Sequence, residues 1–568
     1  MQKHSPLPSG WRLWLAIAAG TYVLILLCTR PDTYIDSFNY AKHIVDHKQG
    51  VLPPSLDPFF DFGHPLWRPM GYLVYVCFGN LLASGFGGNQ IFAAAGALIA
   101  WSLLGGAIAT IFLYLLLARL TSKAWVAGVG AMGFLSTHAI MNFSRTGTAY
   151  MAGAACQIVG LYAIHRAIRD DRFSTRNTIA VGILLGLSIG IWFPFVLSVP
   201  GLLCYALIWR EDPAPLDWRA RLRFALWICA GVAVVVIIVY TSVMAAHHIS
   251  SVDGARQWMA ASRYQISPTK GFARMLFSIP RSFFMLGTGN TVWKRFLLRA
   301  PGDSVGVWEV LGAGLWKLAG VYLVFGALVL TLRKSGWGRR LLICLAATAL
   351  PLAIFAAFLF DPAPPERYMA IFPLLFAAIA LTLAREPAGA FTRGLLMVFL
   401  GSMLAANGIS MRRFGSDAQY AATMARLESV NRQATAKDLI FVPTFLDEAA
   451  KFIDARPFDP ASRFRLCLTI GIPTGSSQVV AWQDNLAKAV FETWRGGGRV
   501  WISSRFLPPT PSPQWWIEGD ESRVKWPDVP LFFHKLELVN PVGGADGFLE
   551  LARSARNEEL LRSARTPQ

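Results

Sequence analysis

The chain has 568 residues; 54% are apolar or aromatic and 15% are charged, against about 25% charged residues in an ordinary soluble domain. A soluble enzyme is excluded, because the apolar residues form long, almost uncharged runs, and ~20 such residues span a bilayer as a helix. Of the formal net charge of +19, residues 1–410 hold 33 Lys+Arg against 16 Asp+Glu, whereas residues 411–568 hold 20 against 18. Nucleic acid is not indicated as a partner, since it requires a clustered basic face with stacking aromatics. Positive charge beside apolar spans is instead what membrane orientation uses. The seven cysteines (28, 77, 156, 204, 229, 344 and 467) include no Cys-x-x-Cys pair, so neither a disulfide framework nor a thiolate metal site is suggested.

In chain order, eleven spans are expected: 13–28, 91–118, 124–143, 146–165, 178–192, 194–209, 224–244, 316–332, 341–360, 369–384 and 394–410. The first reads as a retained span, with no small-residue cleavage site after it. With the N-terminus in the cytoplasm, the cytoplasmic stretches hold 18 Lys+Arg and the short outer stretches hold six, as the positive-inside rule requires. The run Pro69–Ala83 is laid in the interface, since counting it as a span would place the Arg clusters at 166–176 and 219–223 outside. In the long loop from His247 to Trp316, with eight Lys+Arg, three acids and apolar stretches such as Phe272–Phe284, an interfacial basic helix is expected to press on headgroups, with specific acceptor binding as the alternative.

The fold class is therefore an all-α polytopic membrane module over 1–410, with outer loops at 29–90 and 245–315, followed by a soluble periplasmic α/β domain over 411–568. Within the latter, 438–445, 477–482 and 499–504 read as strands and 417–434, 447–456 and 484–495 as helices. The helix before Gly496-Gly497-Gly498 carries a stop signal. No dinucleotide or ATP fingerprint occurs, and Leu507–Pro513 is a stiff loop.

Polar groups gather in the loop 32–68. Ile35, Phe38, Ala41, Ile44 and Val45 recur at helical spacing, with Asp36, Tyr40, His43 and His47 on a second stripe, which predicts an amphipathic helix on the membrane. Asp36 falls in its first turn, where it caps the helix and where a general base is kept ionised. His43 and His47 have metal-ligand spacing but no third ligand, so a divalent metal is not favoured and no cofactor is expected. Further along lie Asp57, Asp61, His64 and Arg68. Transfer from a sugar phosphate needs a base for the acceptor and cations for the departing phosphate. Arg68, Arg145 and Arg367 all fall at predicted outer span ends, and arginine binds phosphate in bidentate fashion. Headgroup snorkelling is the alternative for each.

Asp36-Ser37-x-x-Tyr40 beyond the first span, His64-Pro65 in the same loop, and Pro365-Glu366-Arg367-Tyr368 leading into a Pro-containing span resemble the integral-membrane glycosyltransferases of the GT-C superfamily. The likeness is to the protein O-mannosyltransferase-like and aminoarabinose-transferase-like branches. It implies sugar transfer from a polyprenyl phosphate at the outer face, with Asp36 as the catalytic base. Position 37 is Ser where those branches often carry a second acid, which leaves open whether Asp57 or Asp61 completes the site or whether one carboxylate suffices. Arg367, Tyr368, Arg145, Arg68 and His64 are expected at the donor phosphate, and Glu366, Tyr40, Asp57 and Asp61 near the acceptor, be it lipid, glycan or protein. Trp515-Trp516-Ile517-Glu518 resembles the Trp-Trp-Asp motif of oligosaccharyltransferases with its acid displaced, and reads as an exposed loop. A lipid-linked sugar flippase or exporter would need a continuous polar route across the membrane, and the near absence of charged residues within the spans, apart from His138, His165 and Lys317 toward span ends, argues against it. A non-catalytic assembly subunit, docking through the α/β domain, is the other alternative.

Overall fold

A computed structural model of the chain describes residues 7–29, 31, 36–50, 58–85, 90–170, 173–210, 217–261, 271–286, 314–358, 365–386, 388–414, 429–430, 433–435, 437–441, 481–504, 507, 528–540 and 547–563. The expected positions Asp57, Cys467, the helix 447–456, the loop 508–513 and the Trp515 run lie outside these residues.

The helices are α1 Trp11–Cys28, α2 Asp36–Gln49, α3 Trp67–Gly85, α4 Gln90–Thr121, α5 Ala124–Leu135, α6 His138–Phe143, α7 Tyr150–Arg169, α8 Thr175–Ile191, α9 Val199–Ile208, α10 Trp218–Ala246, α11 Val252–Ala261 and α12 Gly271–Phe283. There follow α13 Trp316–Leu332, α14 Gly336–Phe358, α15 Phe372–Ala384 and α16 Ala390–Phe414, then α17 Ala481–Arg495, α18 Asp528–Phe533 and α19 Ala555–Ser563. Short 3₁₀ turns over Phe193–Ser198 and Pro365–Ile371 lead into α9 and α15. Among the described residues, seven helices are long and apolar enough to cross a membrane, and four shorter apolar ones (Ala124–Leu135, Thr175–Ile191, Phe193–Ile208 and Trp316–Leu332) occupy the remaining expected spans. The chain is a multi-pass membrane protein. The segment 69–83, expected at the interface, is helical as α3 and turns Leu73, Val76, Phe78 and Leu81 outward.

The chain divides into two compact units: Met1–Asp32 with Asp46–Gly71 and Leu98–Phe414, and Thr33–Val45 with Tyr72–Ala97 and Gly415–Gln568. In the larger unit, α8 and α10 cross at a pair of glycines. A Cβ on Gly182 would meet the Gly231 Cα at 2.8 Å, so only a bare backbone permits the approach, the usual device where hydrocarbon offers no hydrophobic drive. Asp217 caps α10 by accepting from the Ala220 N–H (3.0 Å). Arg221, one turn on, donates to the carbonyls of Ala206 (2.8 Å) and Trp209 (3.0 Å) at the end of α9.

The helix expected to press on headgroups does not do so along its C-terminal half. Ser278, Ser282, Phe283 and Phe284 are buried in the larger unit. The reason is backbone satisfaction: the Asn407 amide in α16 donates to the carbonyls of Ser136 (2.7 Å) and Phe283 (2.6 Å) and accepts from the Met285 N–H (2.8 Å). His138 donates from Nδ1 to the Arg281 carbonyl (2.9 Å), and the Lys317 ammonium donates to the Met285 carbonyl (2.7 Å). One side chain thus joins the α5–α6 turn, the end of α12 and α16.

In the smaller unit, β1 Leu439–Phe441, β2 Val500–Ser503, β3 Leu538–Val539 and β4 Phe548–Leu551 form a sheet in the order β1-β2-β4-β3. β1 and β2 are parallel; the other pairings are antiparallel. Its core includes Phe441, Val490, Trp494, Ile502, Phe533 and Leu561. Asp438, at the foot of β1, accepts from the backbone N–H groups of Thr435 (2.9 Å) and Arg499 (2.8 Å) and pairs with the Arg499 guanidinium (3.2 Å), tying the two parallel strands together. Burial alone would raise its carboxyl, but these donors, the Trp501 indole and the arginine hold it below the ordinary value. The stop at Gly496–Gly498 is a positive-φ Gly497 (75°), with the Gly498 N–H closing on the Thr493 carbonyl at 2.9 Å. Ala481 and Trp482, expected at the end of a strand, are helical, because the amphipathic face formed by Leu486, Ala487, Val490 and Trp494 extends α17 upstream.

Replacing Asn407 by Ala is expected to leave three buried backbone groups without partners and to cost about 3 kcal/mol. The expected drop in the thermal midpoint of the purified protein in detergent checks this; an unchanged midpoint would refute the clamp.

Candidate active site

In the larger unit, the segment 58–68 is fixed by backbone bonds to distant elements. The Phe193 N–H donates to the Gly63 carbonyl and the Leu66 N–H to the Gly190 carbonyl, both at 2.9 Å. Tyr240 and Trp258 donate to the carbonyls of Phe62 and Phe60, each at 3.0 Å. The turn between the α8 end and α3 is therefore held by the helices around it.

On this turn Asp61, His64 and Arg68 come together. The His64 backbone N–H donates to an Asp61 carboxylate oxygen at 2.7 Å, and the ring Nδ1 lies 3.2 Å from the same oxygen. The Arg68 guanidinium, 3% exposed, donates to the other oxygen. Burial pushes the Asp61 carboxyl upward, but Arg68 and then His64 outweigh it and hold the group well below the usual carboxylate range. Arg68 is not a snorkelling side chain, because its charge is met inside the protein.

Trp67, fully buried, donates to the Gly147 carbonyl at 3.0 Å and so joins this turn to the loop that carries Arg145. Arg145 is buried too, donating to the Thr29 carbonyl just past α1. It staples a span end and does not snorkel. From His64 an aromatic path leads inward: its ring centroid is 6.5 Å from that of Tyr150, which is 4.8 Å from Trp192. The Arg367 guanidinium stands 5.9 Å from the Trp192 ring and 3.4 Å from the fully buried Glu366 carboxylate. Tyr368 is buried with Met275, Leu352 and Ala356. Asp61, His64, Arg68 and, through Tyr150 and Trp192, Arg367 with Glu366 therefore form one connected group, with Arg145 bound to its edge.

Asp36 and Tyr40 belong to the smaller unit. α2 forms over Asp36–Gln49 as the periodicity predicts, with Asp36 in its first turn and half-buried. Tyr40, expected on the polar stripe, is buried, as are Ser37, Phe38, Ala41, Ile44 and Val45, so the covered face of α2 is wider than the apolar stripe alone. His47 is not a solvated residue either: it stacks on Phe59 with ring centroids 3.8 Å apart. Among the described residues no group of three or more His, Cys, Asp or Glu is arranged to hold a metal. Sequence reasoning missed Tyr150 and Trp192; the one available signal was Trp192-Phe193-Pro194 interrupting an apolar run.

No protein-family model and no curated protein matches the chain. Among solved structures it is similar to ArnT from Cupriavidus metallidurans bound to undecaprenyl phosphate, with a TM-score of 0.54 and 13% identity over 99% of this chain and 100% of that one. The apo state of the same protein gives a TM-score of 0.45 and 17% identity over 99% of each chain.

Because Asp61 is held ionised by Arg68 and His64, its contribution to stability is present above the unfolded carboxylate value of about 3.9 and is lost as pH falls through its depressed folded value. Thermal unfolding across acid pH should show this dependence, and Asp61→Asn should be destabilised by about 3 kcal/mol near neutrality through the uncompensated Arg68. A variant as stable as the parent would refute the pairing. Over nearly the whole chain the fold is like that of the ArnT structure, a polytopic helical membrane module followed by a small α/β unit.

Proposed function

We propose that the protein is a polyprenyl-phosphate-dependent glycosyltransferase of a bacterial inner membrane, with the N-terminus cytoplasmic and the α/β domain periplasmic. It passes a sugar to a lipid, glycan or protein acceptor at the outer face. The observation that carries this reading is the likeness of fold, along the full chain, to a protein solved with undecaprenyl phosphate bound. The motifs at Asp36, His64 and Glu366–Tyr368 add to it.

In this reading the Asp36 carboxylate takes the acceptor hydroxyl proton as that oxygen attacks the anomeric carbon. The bond from that carbon to phosphate breaks, and the polyprenyl phosphate leaves with the electron pair. Negative charge grows on the leaving phosphate, so the reaction requires a cation there. Arg367, braced between Glu366 and Trp192, suits that role, with Tyr368 beside it in sequence. Arg68 and Arg145 serve by fixing the turn and the loop at its edge, since each already spends a donor on Asp61 or Thr29. Asp61 supports the site as the counter-ion of Arg68; Tyr40 and Asp57 remain on the acceptor side of the proposal. A divalent metal is not favoured in this reading, since His43 and His47 have no third ligand.

Vesicles containing the purified protein and a polyprenyl phosphate sugar test the proposal. Asp36→Asn should fold normally and lose turnover by about a hundredfold or more, and Arg367→Gln should lose turnover with a smaller change in thermal midpoint than Asp61→Asn. Retained turnover in Asp36→Asn would remove that residue from the mechanism. Failure of polyprenyl phosphate to bind or stabilise the parent protein would remove the reading as a whole.

A further inference from the structure

Both halves of the candidate site hang from one stretch of chain, 188–198, where the helical run of α8 breaks before α9. Trp192 leaves the helix with φ −149° and ψ 111°, and Phe193–Ser198 continue as a 3₁₀ turn. Non-helical backbone at membrane depth is tolerated only where protein buries it or where it lines a cavity. On one side of this break, the Gly190 carbonyl and the Phe193 N–H hold the turn that carries Asp61, His64 and Arg68, through Leu66 and Gly63 at 2.9 Å each. On the other, the fully buried Trp192 indole meets Tyr150 and stands 5.9 Å from the Arg367 guanidinium.

Gln157, two turns into α7, fastens this stretch at both ends. Its amide N–H donates to the Ser188 hydroxyl and its amide oxygen accepts from the Ser198 hydroxyl, and all three side chains are buried. The Ser188 hydroxyl in turn donates to the Leu185 carbonyl (2.7 Å), and the Ser188 carbonyl accepts the Trp192 N–H (2.9 Å), so the residue that Gln157 holds is the one from which the break starts. Gly153, one turn before Gln157, lets the Phe195 ring lie against α7, since a Cβ there would collide with it. Phe195 meets the Trp192 ring edge-on, with centroids 5.0 Å apart. A tie between α7 and α8 needs only the bond to Ser188. The bond to Ser198 reaches past the break and serves the segment between.

We propose that Gln157 is a positioning residue of the donor site: by clamping 188–198 at both ends it fixes where the Trp192 indole stands and, through the indole, the Arg367 guanidinium at the leaving phosphate. This assignment rests on the glycosyltransferase reading above. Gln157 touches no substrate. It removes freedom from the segment that Arg367 and the Asp61 turn share, so the two keep one spacing. A cation placed in advance costs no reorganisation when charge develops on the phosphate, and loosening its support costs affinity as well as stability.

The test uses the full chain in nanodiscs, with 5-fluorotryptophan in place of Trp192 alone and undecaprenyl phosphate as the probe. With no other change, the fluorine resonance should be single and narrow, and it should move both on Arg367→Gln and on addition of undecaprenyl phosphate. Gln157→Leu should broaden or split it before any lipid is added and should weaken undecaprenyl phosphate binding about tenfold. In an Arg367→Gln background the same change should weaken binding by less than about twofold more. Ser198→Ala, which removes one of the two bonds, should act in the same direction to a smaller extent, and it carries the test if Gln157→Leu does not fold. Asn407→Ala, which removes another buried interhelical amide, should lower the thermal midpoint and leave resonance and affinity unchanged. The proposal is overturned if resonance and affinity ignore both Gln157→Leu and Ser198→Ala, if Asn407→Ala matches their effect, or if the loss persists in full without Arg367. Failure of the unaltered protein to bind undecaprenyl phosphate overturns instead the reading on which the proposal rests, and the lipid-free resonance then still decides whether Gln157 fixes Trp192.

Discussion

The structure depends on one constraint: a backbone carbonyl or amide that faces hydrocarbon has no water to bond. Within a helix the ladder settles the matter, but every span ends, and at each end up to four groups are left over. The larger unit meets this with side chains reaching from neighbouring elements. Arg221 serves the end of α9, Trp67 the Gly147 carbonyl, Arg145 the carbonyl after α1, and Asn407 three groups at once. The turn with Asp61, His64 and Arg68 is held by the same logic, its carbonyls taken by the Tyr240 hydroxyl, the Trp258 indole and the Phe193 amide. Precise placement of polar groups in the candidate site is thus a by-product of what the membrane demands of the backbone.

That division explains what the sequence could reveal. Hydropathy is a local property, and the eleven apolar segments reappear as helices in order, 316–332 with its bounds unchanged. Helical spacing located α2 with its start one residue from the first apolar position used. Nothing local marked Asn407, a lone amide in an apolar run, since its three partners lie more than 120 residues away. The same holds for the pairing of Gly63 with Phe193. β3 and β4, of two and four residues, are too short for an alternating pattern to declare itself.

The site was legible in kind and less so in role. Three arginines at expected span ends suggested a common environment, yet Arg68 is met by a carboxylate, Arg145 by a carbonyl, and Arg367 by Glu366 and an indole face. A sequence names the charge but not its counterpart. The likeness to ArnT at 13% identity carries the same lesson at the scale of the fold: packing of apolar helices tolerates wholesale replacement of side chains, whereas function rests with particular groups placed on that frame.

Lys123, Arg169, Arg221, Arg340 and Arg385 all donate to main-chain oxygens of another helix or turn. In the orientation expected from the sequence, these are residues whose sign biases how the nascent chain is threaded into the membrane. Insertion and tertiary assembly therefore draw on one set of atoms in succession: first as mobile charges read during synthesis, later as rivets between finished helices. Engineering an inverted topology by moving these residues would loosen the assembled bundle as well, so evolution can adjust neither property here without touching the other.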